Sequence, residues 1–247
     1  MFRHLAALLA ATAALACGDT DRVVDPALFD ASAGVENAAD AALREYEITI
    51  TNLTSGQPLS PGVLVTHTKQ ASFFTAGQAA SEGLRLIAEN GDPSTAAAAL
   101  MGAPGVDAVV ATMAPIHRMG GPGPSSLTST IAARANANRF SVAVMLICTN
   151  DGFTGLAGAE LPRGFQPLTY YAAGYDAGTE TNDELSANVV DACPAIGPVG
   201  GTADGNGRVA EGGVVMMHPG IQGGAFLDPA QHGWTEPVAR VTVRRIK

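Results

Sequence analysis

The chain has 247 residues, of which 47% are hydrophobic, 15% charged and 5% aromatic, with 29 Gly, 15 Pro and a single Trp. A formal charge of −9 argues against nucleic acid or anionic lipid as an unassisted partner, since both need a basic patch. A chain poor in charge and rich in turn formers, Val and Thr, and of this length, reads as one large β domain with many turns.

Residues 1–16 read as an export signal: basic Arg3 and His4, an apolar stretch from Leu5 to Ala16, and a small-residue cleavage site. The stretch is too short for a stable membrane span. Two cleavage modes fit. Ala14-Leu15-Ala16 suits the general signal peptidase, whereas Leu15-Ala16-Cys17, followed by polar GDTDR, resembles a lipoprotein junction and points to lipidation of Cys17. The expected destination is the cell envelope, as a lipoprotein of the outer membrane, or the medium. Residues 17–43 read as an Asp/Ala-rich spacer, and 44–247 as the folded domain.

Tyr46, Ile48 and Ile50 alternate with Glu47, Thr49 and Thr51, which predicts a half-buried strand. TSGQPLSP makes a turn, and VLVTHT (63–68) a second strand. AASEGLRLIAENGD (79–92) predicts a short amphipathic helix with Leu84, Ile87 and Ala88 facing the core and Gly91 as its stop. PSTAAAALMG adds a further helical turn or two. GGPGPSS (120–126) is a stiff polar loop; its prolines remove backbone donors and no Lys follows, so it does not cradle phosphate. Further strands are predicted at 127–134, 140–148, 209–217 and 237–246.

Two acidic loops carry the chemistry. NDGF (150–153) follows the apolar run FSVAVMLICT, so Asp151 stands where a buried strand emerges; YDAGTE (175–180) sets Asp176 and Glu180 four residues apart in a Gly-containing loop. If the loops meet, three like charges converge, and such a cluster repels itself unless it holds a cation. Oxygen ligands without Cys or His favour a hard ion, above all Ca2+. The competing reading is ordinary solvated acidic loops. Without Cys17 the exported chain holds Cys148 and Cys193, an even pair in an oxidising compartment, so a disulfide between them is expected, with two buried free thiols as the competing reading. ADGNGRVAE (203–211) matches part of a helix-loop-helix calcium loop through Asp204, Asn206 and Glu211, but reads better as a hairpin turn leading into VVMMHPG. His67, His117, His218 and His232 are scattered, and a zinc site among them is the lesser reading. No Gly-x-Ser-x-Gly, His-Glu-x-x-His or Cys-x-x-Cys occurs, and a single Trp with four Tyr is a poor lining for a sugar-cleaving cleft, so no catalysis is expected.

The segments YEITITNLTSGQPLSPGVLVTHT (46–68), AGQAASEGLRLIAENGD (76–92), VMLICTNDGFTGL (144–156), YDAGTE (175–180) and VARVTVRRI (238–246) resemble, in order, the spondin N-terminal domain. The resemblance implies an all-β fold, mainly an antiparallel β-sandwich with one or two short helices, and a calcium held by acidic loop residues. It maps Asp151 onto the acid after the strand, and Asp176 and Glu180 onto the two acids of the D-A-G-T-D/E loop. Gly152 and Glu180 depart from the animal members, which carry Trp and Asp there. The function implied is a cell-surface adhesion or ligand-binding module with an extracellular protein or glycan partner. The alternatives are an accessory or catalytic protein acting on envelope polysaccharide, and a structural envelope component without metal.

Overall fold

The computed structural model describes residues 43–203 and 207–247. The export signal, Cys17, the spacer up to residue 42, and Asp204 and Asn206 of the DGNG turn lie outside the described residues.

Among the described residues, ten strands form two antiparallel sheets. The smaller contains β1 (Leu43–Asn52), β4 (Ser126–Arg134), β7 (Leu168–Ala172) and β10 (Ala239–Arg245), in the order β4-β1-β10-β7. The larger runs β3-β2-β5-β6-β8-β9, from β3 (Val106–Ala111), β2 (Leu59–His67), β5 (Arg139–Leu146), β6 (Gly152–Glu160), β8 (Gly174–Asp176) and β9 (Met216–Met217). The expected all-β sandwich is the fold. Alternation along β1 works as read: Tyr46, Ile48 and Ile50 are buried, and they join Leu64, Phe140, Val142, Val144, Val241 and Val243 in the core between the sheets.

The other face of the larger sheet is covered as well. Helices α1 (Glu82–Asn90) and α2 (Ser94–Leu100) contribute Leu84, Ile87, Ala88 and Ala96 to a second core with Val63, Val65, Ala143 and Phe153. That is why β2 and β5 are buried almost throughout instead of alternating. The Ser81 side chain caps α1 by accepting from Leu84 N–H, and Gly91 ends it with its own N–H donating to the Ile87 carbonyl.

The predicted strand over 209–217 is the main difference. Only Met216 and Met217 enter a ladder; Ala210 makes an isolated bridge to Glu180, and Gly212 between them takes a left-handed φ of 73° that breaks the extended run. Strands β3, β6, β7 and β8 were not expected. β6 carries Gly152, Gly155 and Gly158, and β8 is only three residues long, so neither offers a pattern to read. Two shorter helices complete the fold, α3 (Ala192–Ile196) and α4 (Pro229–His232).

Candidate metal centre

Asp151 sits on the tight connection between β5 and β6, wholly buried. Its Oδ2 accepts from Thr179 N–H at 2.7 Å, Glu180 N–H at 2.9 Å and the Thr179 hydroxyl at 3.1 Å. Its Oδ1 is buried without a hydrogen-bond partner. Asp176 ends β8 directly opposite Gly152, and its carboxylate accepts from Gly178 N–H at 2.6 Å and from the Asn182 side chain.

The loop between these acids needs its glycine. Gly178 has a left-handed φ of 69°, and a Cβ there would lie 2.4 Å from Val214 N, so the returning chain packs straight against its backbone. That chain is zipped on by hydrogen bonds from Thr181 N–H to Val209, from Glu211 N–H to Thr179 and from Gly213 N–H to Gly178. Glu211 is thereby delivered to the site. One carboxylate oxygen from each of Asp151, Asp176 and Glu211 lies within 4.8 Å of the other two. Calcium binds oxygens at about 2.3–2.6 Å, so ligand oxygens across one ion are separated by up to about 5 Å, and this set fits.

Of the acids singled out by sequence, Asp151 and Asp176 meet. Glu180 lies outside that group: its side chain is buried, Oε1 accepts from Asn150 Nδ2 at 3.2 Å, and Oε2 has no hydrogen-bond partner. The residue that completes the trio is Glu211, which the sequence reading had placed in a different motif. Its proximity to Asp176 comes from backbone pairing across some 30 residues of chain, and no local spacing signals it.

The electrostatics are those of negative charge out of water. Burial, reinforced by the Asp176 charge, pushes the Asp151 carboxyl up to about 6 despite the amides that favour its ionised form. Burial likewise lifts Glu180 to about 7, opposed by the Asn150 hydrogen bond and the Arg208 charge. His218, behind Asp176, is pushed down to about 4 by burial, with the Asp176 charge pulling the other way.

Cys148 and Cys193 form a disulfide spanning 45 residues, at the heart of a third apolar cluster with Met145, Ile147, Val189 and Leu227. His232 lies beside these sulfurs, but the bridge engages both of them. His67 instead bonds Ser141 Oγ through Nε2 at 2.8 Å, and no three of the four histidines converge among the described residues. Gly152 also has a local reason: a Cβ there would meet Thr149 Oγ1 at 2.6 Å.

A family model, Spondin_N, matches residues 54–194, more than half of the chain. The protein belongs to the spondin N-terminal family. No curated protein matches it. The matched spondin segment runs from β2 to α3 and contains Asp151, Asp176, Glu180 and both bridged cysteines, whereas Glu211 lies beyond it. Spondin domains are extracellular, and no helix among the described residues is long and apolar enough to cross a membrane, so a secreted or exported protein fits.

Proposed function

We propose that this spondin domain is a calcium-stabilised, non-catalytic binding module displayed outside the cell, tethered by a lipid on Cys17 and acting in adhesion or ligand capture. The observation that carries the reading is Asp151 Oδ1, a fully buried carboxylate oxygen with no protein partner, beside oxygens of Asp176 and Glu211. An anion left so would cost several kcal/mol, and a hard cation removes that cost. Asp151, Asp176 and Glu211 would hold the ion, with backbone carbonyls and water completing six to eight ligands. The ion supplies charge neutralisation that fastens β5, β8 and the 209–213 return to one another; no reaction step is assigned to it.

Extracellular calcium sites have dissociation constants of about 10⁻⁴–10⁻³ M. At ~2 mM calcium, binding only the folded state then adds about 0.6–1.8 kcal/mol. For a domain of this size that is a melting-temperature rise of roughly 1–7 °C over a chelator-treated sample. Magnesium gives less, because it tolerates irregular geometry poorly. Identical melting curves, with no calcium in elemental analysis of the purified protein, would remove the metal from this reading. The tether is tested by detergent partition of the full-length protein: wild type enters the detergent phase and Cys17→Ser stays in the aqueous phase. Equal partition would leave simple secretion.

A further inference from the structure

The one tryptophan of the chain stands in the wall of an open cleft of about 560 Å³, whose lining includes none of the acidic trio. That volume falls within the range of small-ligand sites, about 300–1,000 Å³. Leu53–Ser55, Trp234–Thr235, Met119 and Ile221 are among the residues that line it.

The cleft is built, not incidental. Gly56 is packed so hard against the opposite wall that a Cβ would lie 2.4 Å from the Gly233 carbonyl oxygen. Next to it, Gln57 Nε2 donates to the His232 carbonyl at 2.6 Å and to the Cys148 carbonyl at 2.9 Å, pinning both walls to the disulfide region. The indole is fixed in turn. Its Nε1–H donates to Glu236 Oε1 at 3.1 Å, and the His218 ring meets it edge-on with centroids 5.0 Å apart. Pro219 and Pro229 stiffen the remaining rim. A rigid aromatic in a preformed cleft loses little entropy when a ligand settles on it.

The lining chooses the ligand's chemistry. Among the described residues it contains no charged side chain, and the charges that border it are engaged: Glu236 Oε1 accepts from the indole and from Gly174 N–H, and Arg118 donates to the Ser55 carbonyl. A phosphate, carboxylate or amine would therefore have to compete with these contacts for its counter-charge. An acyl chain would stay largely wet in so open a site. What matches is a ligand with one apolar face and a rim of hydroxyls: the C–H face of a neutral pyranose lies on an indole, while its hydroxyls meet those of Ser55 and Thr235 and nearby backbone groups.

We propose that the Trp234 cleft binds uncharged saccharide. This rests on the reading of the domain as a ligand-binding module and names its ligand class; it does not rest on the calcium. Because Trp234 is the only tryptophan, its fluorescence reports on the cleft directly. The purified protein is titrated with cellohexaose, maltohexaose and chitohexaose, in calcium and again in chelator, with calorimetry in parallel. At least one sugar is expected to give a saturable emission change and matching heat. Trp234→Ala should weaken that binding by about tenfold or more. Ser55→Arg, at an exposed rim position, should abolish it while the melting temperature stays unchanged, which guards against a misfolded Trp234 variant. A response in either arm supports the cleft. Silence in both arms, binding that survives both substitutions, or binding of a polyproline peptide and none of the sugars would overturn it, whatever the melting curves say about calcium.

Discussion

Asp151 spends one carboxylate oxygen on its own fold and leaves the other free, a division of labour that predicts how substitutions will behave. In Asp151→Asn the side-chain carbonyl can still accept from Thr179 and Glu180 N–H, so the loop keeps its shape. What disappears is a negative charge and a ligand oxygen. Calcium affinity should fall about tenfold or more, while the metal-free melting temperature holds or rises, because the repulsion with Asp176 is relieved. Glu180→Gln should retain most of the calcium response, since Glu180 Oε1 is held by Asn150 and the residue is not one of the converging trio. Isothermal calcium titration of both variants decides; equal losses would return Glu180 to the ligand set. Asp151 and Asp176 were legible because each acid follows a strand beside a glycine turn. Glu211 was not: its place depends on hydrogen bonds from the 209–213 segment to the 178–181 loop, a pairing between irregular stretches that no periodicity reveals.

Among the elements, the disulfide ties the segment just after β5 to α3. Closing a loop of 45 residues stabilises by about 4 kcal/mol on the chain-entropy model. Replacing both cysteines by alanine should shift the urea midpoint downward by that amount divided by the slope, with the slope raised if the unfolded chain expands. A midpoint unmoved by the double substitution would mean that the apolar packing of Met145, Ile147, Val189 and Leu227 holds this corner unaided. Elements were readable where one face met solvent. β1 alternates cleanly, and α1 announces its start with Ser81 and its stop with Gly91. β6 escaped notice because its glycines, one of them Gly155 pressed against the Val142 carbonyl of β5, replace the side chains that would have shown a period. The 209–217 segment misled in the opposite way: its valines and methionines look like a strand, and Gly212 bends it out of one.

At the scale of the whole molecule, the buried acids make stability and calcium binding depend on pH in opposite senses. In an unfolded chain Asp151 and Glu180 titrate near pH 4; in the metal-free fold they are raised to about 6 and about 7. Between those limits the folded state holds more protons, so the stability these two groups contribute is fully present below about pH 4 and is lost as the pH climbs through 6–7. The buried histidines act the other way. His218 is depressed to about 4 and His232 is also lowered by burial, so their contribution is present above about pH 6.5 and is lost as the pH falls below it. The melting temperature alone therefore mixes two opposed trends. The difference between calcium and chelator at one pH isolates the metal-linked groups, because His232 enters both samples alike; His218, which feels the Asp176 charge, belongs with the linked groups. Calcium needs Asp151 ionised and must displace its proton at low pH, so the calcium-induced rise should be slight at pH 5 and several-fold larger at pH 8. Differential scanning calorimetry at both values, with and without chelator, measures it. A calcium shift of the same size at pH 5 and pH 8 would mean that the ion is held by groups already ionised at pH 5, and that the proton on Asp151 plays no part in binding it.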